Sequence, residues 1–115
     1  MPSFETQGQV LLQPFTQVGF DYEITICSSS TANDGFIPYG TTVSSVNVIA
    51  YDKDEEVVTG ELIHGTPTIS ENVITTPLKY PETSGDGRYK LTFQLTLSDS
   101  SKVEADFDRV VARNS

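Results

Sequence analysis

The sequence predicts an all-β protein, a sandwich of about seven short antiparallel strands, and three observations carry that reading. Apolar residues never recur at helical spacing, β-branched and aromatic residues are dense, and turn signals return every eight to fifteen positions. At 115 residues the chain is one domain's worth, read as a single unit over 1–115 with residues 1–8 as a flexible N-terminal arm.

In chain order, residues 9 to 15, QVLLQPF, read as a first strand kinked by Pro14, which removes a ladder donor. Phe20, Tyr22, Ile24 and Ile26 then alternate with Asp21, Glu23, Thr25 and Cys27, a strand with one wet face on which Cys27 falls. CSSSTANDGFIPYG, residues 27 to 40, is a long connection, the best candidate for a mobile loop, with Phe36 or Ile37 tucked against the core. Residues 41 to 51 form a long strand that runs into the acidic turn DKDEE at 52 to 56. Short strands are expected around Val57 to Ile63 and Val73 to Leu78, with Pro67, Pro77 and Pro81 marking edges.

The last third carries the strongest pattern. Tyr89, Leu91, Phe93, Leu95 and Leu97 share one strand face, and Val103, Ala105 and Phe107 share the next. A hairpin whose opposed residues sum to 200 makes those faces coincide: Leu97 with Val103, Leu95 with Ala105, Phe93 with Phe107. Asp99, Ser100 and Ser101 are then the loop. Thr92, Gln94 and Thr96 lie beside Asp108, Asp106 and Glu104 on the solvated face.

Charge and cysteine content exclude several function classes. Seven basic against sixteen acidic residues give a net charge of −9, a field that repels nucleic acid and anionic membrane surfaces. The sequence has no run near the roughly 18 apolar residues of a membrane span and no basic, apolar leader, so a chain made and kept in a cytoplasm is expected. Cys27 is the only cysteine, which rules out an internal disulfide and a cysteine zinc site.

Candidate chemistry is thin. Gly85-Asp86-Gly87 with Asp52, Asp54, Glu55, Glu56 and Glu104, Asp106, Asp108 offers oxygen donors for calcium, but the EF-hand spacing is missing and the last three acids lie in a row along a strand. No Lys-Ser/Thr follows the glycines, as a phosphate loop requires. His64 is the only histidine and reads as a turn or surface residue, and Cys27 has no basic neighbour to activate it. The chain is read as a non-enzyme, with no catalytic, cofactor-binding or metal-binding residues assigned.

The glycine turn reads instead as a strand start. In immunoglobulin-like domains a tyrosine near the start of strand F closes the preceding turn with its hydroxyl, two positions before the second cysteine. Tyr89 fits that place and Leu91 takes the cysteine position. Gln13-Pro14, FDYEITI at 20 to 26, YGTTVSSVNVIA at 39 to 50, GDGRYKLTFQLTL at 85 to 97 and the terminal DRVVAR resemble the small Ig-like proteins of tailed-phage and prophage gene clusters. The likeness spans most of residues 13 to 113. It departs from the pattern at Thr41, where the strand start would have aspartate, in the absence of tryptophan, and in the longer acidic turn at 52 to 56.

The resemblance implies an Ig-like sandwich and a virion structural or assembly accessory protein without catalytic residues. Its partners would be other phage structural proteins or copies of itself, and its location the bacterial host cytoplasm during assembly, then the virion. The alternative is an Ig-like adhesion or carbohydrate-binding module, with or without calcium dependence, using the 28–40 loop and the acidic turns. Exposed aromatics among Tyr39, Tyr51 and Tyr80 would favour that alternative.

Overall fold

The computed structural model of the chain describes residues 10–14 and 17–114; the expected arm at 1–8 lies outside them. Among the described residues, seven strands form two sheets: β1 (Val10–Leu12), β2 (Gln17–Glu23), β3 (Val43–Tyr51), β4 (Thr68–Ser70), β5 (Val73–Lys79), β6 (Gly87–Leu97) and β7 (Lys102–Ala112). One sheet has the order β1-β7-β6-β3 and the other β2-β5-β4, the strand order of an immunoglobulin-like sandwich. Among the described strands, each paired ladder is antiparallel except that β1 runs parallel to β7, so the expectation of a wholly antiparallel set is corrected there.

The sheets meet over a core in which Ile74, Leu78, Leu91, Phe93 and Val110 are completely buried. Where antibody domains link strands B and F by a disulfide, this chain uses rings. Tyr22 of β2 stacks on Phe93 of β6 with centroids 4.7 Å apart, and Phe20 lies 4.6 Å from Phe107 of β7. Aromatic pairs at this spacing contribute about 0.5–1.5 kcal/mol beyond the area they bury.

The β6–β7 hairpin has the expected faces in a different register. Leu95 opposes Val103, Phe93 opposes Ala105 and Leu91 opposes Phe107, a pairing sum of 198. Phe93 and Phe107 are both in the core but not directly across from one another. The loop is Ser98-Asp99-Ser100, closed by Leu97 N–H to the Ser101 carbonyl at 2.9 Å. Two local features fix it: Ser100 takes a left-handed backbone (φ 73°), and the Asp99 carboxylate accepts from the Ser101 amide and hydroxyl. A shift of two residues leaves side-chain parity intact, which is why the apolar rows still coincide. A bulge between Tyr89 and Leu91 then moves the sum to 199, turning Val110 and Ala112 inward after the exposed pair Asp108-Arg109.

Three further expectations change. Residues 57–63 make one helical turn, α1 (Thr59–Leu62), rather than a strand, and Val58 and Leu62, four apart, are both buried beneath it. Val58 donates to the Ala50 carbonyl at 2.8 Å and Ala50 donates to Thr59 Oγ1 at 3.1 Å, so this segment covers the end of the β3 edge. Pro67 and Pro81 flank strands as expected, but Pro77 lies within β5, which has a neighbour on each side. Its carbonyl accepts from His64 N–H, so its nitrogen faces the same way, beyond the end of β4, where no ladder donor is needed.

Cys27 is buried rather than on the wet face. The chain leaves the sheet after Ile24 and pairs with its own loop: Ile26 bridges Ile37, and Cys27 N–H donates to the Ile37 carbonyl at 2.9 Å.

Candidate functional site

Three surfaces offer chemistry, and the turn that most resembles a ligand loop is not among them. The Tyr89 hydroxyl donates to the Gly85 carbonyl at 2.6 Å, Gly85 N–H donates to Pro81, and the Tyr80 hydroxyl donates to Asp86 Oδ1 at 2.5 Å. Gly85, at φ 78°, supplies the left-handed residue the turn needs. Hydrogen bonding to Asp86 pushes the Tyr80 phenol up to about 12, and burial raises that of Tyr89, with Glu61 adding to it. The Gly85 amide and carbonyl and Asp86 Oδ1 are thus engaged in closing the start of β6, the role expected for Tyr89.

The acidic turn is likewise internally occupied. Asp52 Oδ1 accepts from the amides of Asp54 and Glu56, both at 2.9 Å, while Glu55 takes a left-handed backbone. Among the described residues, no three His, Cys, Asp or Glu side chains converge as a metal site. His64 is exposed and bonded near the end of β5, whereas Cys27 lies beyond its start, where Ile24 faces Asn72. Five residues of strand, roughly 17 Å, separate those positions.

The first surface is the end of the sandwich where the β2–β3 loop, the Glu71-Asn72 turn and the β6–β7 loop meet. Ile24 N–H donates to the Asn72 carbonyl at 2.8 Å, and Asn72 Nδ2 donates to the Ile24 carbonyl at 2.5 Å. Ser98 N–H donates to the Thr42 carbonyl at 2.8 Å, and Thr42 N–H to Ser98 Oγ at 3.1 Å. The long loop is tied throughout. Phe36 and Ile37 both donate to the Thr25 carbonyl, Ser28 binds the Asp34 carboxylate through its amide and hydroxyl, and those bonds hold the Asp34 carboxyl below its ordinary range.

Gly35 permits this closure. A Cβ there would lie 2.5 Å from backbone atoms of Ile26 and Cys27. Ile37 is buried, while Phe36 and Tyr39 on either side of Ile37-Pro38 are 47% and 57% exposed. Tyr39 sits in a turn closed by Thr41, whose amide and hydroxyl both donate to the Pro38 carbonyl. Of the aromatics named from the sequence, Tyr39 is exposed, Tyr51 is half-buried beneath Lys90, whose ammonium lies 5.2 Å from the ring centre, and Tyr80 is buried.

The second surface is the outer face of the four-stranded sheet. Asn47 Nδ2 donates to Gln94 Oε1 at 3.0 Å, and Gln94 Nε2 donates to Glu104 Oε2 at 3.1 Å, a directed chain across three strands. Thr92 Oγ1 donates to Asp106 at 2.9 Å, so the expected partners of Thr92, Gln94 and Thr96 become Asp106, Glu104 and Lys102. Between the Asn47-Gln94-Glu104 row and the Ser45-Thr96-Lys102 row lies a transverse groove of about 610 Å³.

The third is a cleft of about 250 Å³ where Lys53, Arg88 and Lys90 face Asp52, Glu55 and Asp108. The two signs balance, so it selects for neither charge. Taken together, the strand order, the Tyr89 corner and the loop cluster at one end define an immunoglobulin-like β-sandwich. Compared with known proteins, the chain matches no family model and no curated sequence.

Proposed function

We propose that this protein is a non-catalytic contact module, a structural or assembly accessory protein of a phage or prophage virion, working through protein–protein contacts. The observation that carries the contact reading is the pair Phe36 and Tyr39, held outward on a loop whose backbone is bonded shut. Rings kept exposed on a rigid platform lose little entropy when a partner covers them, the economy that makes aromatics strong interface anchors. The virion assignment rests on the likeness of the strand and turn motifs to small phage Ig-like proteins. Mass spectrometry of purified, nuclease-treated particles, with the gene deleted in parallel, tests it: the protein is expected in the particles, and its absence together with unchanged particle number, shape and infectivity refutes the assignment.

The exposed Tyr39 and the groove on the outer sheet face support a second reading, a carbohydrate-binding module. Its Lys102 and Glu104 charges cancel, its amides are oriented by the Asn47-Gln94-Glu104 chain, and Ser45 and Thr96 add hydroxyls. Titration with cellotriose, maltotriose and chitotriose should then shift the side-chain amide NMR signals of Asn47 and Gln94. Unmoved signals at millimolar sugar reject this reading.

A further inference from the structure

Charge is distributed unevenly between the two ends of the sandwich. No Lys, Arg or His occurs in residues 24–42, 71–72 or 98–101, the connections that build the loop end. That end carries Glu23, Asp34, Glu71 and Asp99 against Lys102 alone. The other six basic residues lie toward the opposite end, among them Lys53, Arg88 and Lys90 of the charge-balanced cleft. The loop end therefore combines a net negative rim with the two exposed rings, while the opposite end offers mixed charge and buries its tyrosines, Tyr80 and Tyr89.

We propose that the loop end is the docking face, and that its partner is a different protein presenting a basic surface around an apolar cleft that receives Phe36 and Tyr39. This rests on the contact-module reading and specifies its partner. Complementarity chooses the chemistry: Asp34, two residues from Phe36, and Asp99 in the β6–β7 loop at the same end reject an acidic partner and steer a basic one. A second copy does not fit. Its loop end repeats the same negative rim, and its opposite end carries six basic residues against eight acidic ones, from the segments 52–61 and 82–86 and Asp108. Head to head, like charges meet; head to tail, the mixed charge of the opposite end offers the negative rim no net attraction.

Anchors of this kind dominate interfaces, so removing either ring should weaken docking by roughly tenfold or more. Raising salt from low to physiological strength, where screening shortens to about 8 Å, should weaken it further.

Photo-crosslinking in the native host cells, with the full chain carrying benzoylphenylalanine at Tyr39 or, as a control at the far end, at Val57, which is 65% exposed, tests the proposal. Tyr39 is expected to crosslink, and Val57 not, to one protein identified by mass spectrometry whose crosslinked segment has net positive charge. The yield should fall with Phe36→Ser. Crosslinks from Val57 but not Tyr39, none from either position, an acidic target segment, or a second copy of this chain as target would each overturn it. Particle analysis decides the virion assignment separately: a chain missing from particles that still crosslinks through Tyr39 to a basic partner loses the virion and keeps the docking face.

Discussion

The 80–89 turn and the 25–42 loop are both closed by hydrogen bonds, yet they send their aromatic residues in opposite directions. In the turn, Tyr80 and Tyr89 lie buried, and their hydroxyls hold Asp86 and Gly85. In the loop, backbone bonds and the close approach of Gly35 do the holding, and Phe36 and Tyr39 are left to face solvent. A loop closed by its aromatics has no rings left to offer, whereas one closed by its backbone keeps them available. That contrast separates scaffold from contact surface more reliably than glycine or acidic content does.

The largest expected effect comes from the backbone that closes the loop. Gly35→Ala places a Cβ 2.5 Å from Cys27 N and the Ile26 carbonyl carbon, atoms that cannot step aside as a side chain can. A cost of about 3 kcal/mol is expected, a fall in melting temperature of more than about 10 °C. Calorimetry checks it, and a drop of a few degrees would mean the loop is not closed by this contact. Tyr89→Phe comes next: it deletes a buried hydroxyl and leaves the Gly85 carbonyl without its donor, for about 1.5 kcal/mol by denaturant unfolding. Gly85→Ala meets no atom within 4 Å and suffers only left-handed strain, about 1 kcal/mol. Equal effects at Gly35 and Gly85 would erase the distinction between the two loops.

The sequence exposes parity far better than register. Alternation in GRYKLTFQLTL and KVEADF fixes which side chains enter the core, but pairings that differ by two residues satisfy it equally. The choice fell to Ser100 and Asp99, whose left-handed backbone and carboxylate set a loop one residue earlier than expected. Tyr89 was legible because a corner tyrosine has a fixed place relative to its strand. α1 was not, since one turn with Val58 and Leu62 four apart is too short to show a period. Of the candidate site, residues 27 to 40 were readable as a loop and Ile37 as one of two candidates for the core. That Phe36 faces outward depends on the pairing of residues 25–27 with 35–37, a tertiary choice that also buries Cys27.

Alkaline pH should act on the turn and spare the loop. Tyr80 titrates near 12 in the fold against about 10 when unfolded. Between those values the folded state retains a proton that the unfolded state has lost, so the stability contributed is complete below pH 10 and disappears as pH rises through 12. Burial raises Tyr22 and Tyr89 in the same direction. Tyr80→Phe should therefore reduce the alkaline decline in stability without abolishing it. A decline of unchanged size would show that Tyr80 does not clasp Asp86 in solution.

The smallest expected effect on stability belongs to the residues with the largest expected effect on docking. Phe36→Ser and Tyr39→Ser remove rings that are about half exposed, while the buried Ile37 between them keeps its place and the backbone bonds to Thr25 and Pro38 remain. Exposed side chains that close no turn contribute little to folding, so each variant should unfold within about 0.5 kcal/mol of the parent in denaturant. If the 47% and 57% exposed rings instead braced the loop, the double variant would lose stability as Tyr89→Phe does. Unfolding both in parallel decides the matter: a double variant as stable as the parent leaves Phe36 and Tyr39 as surface held ready for a partner, and one as weak as Tyr89→Phe makes them part of the scaffold.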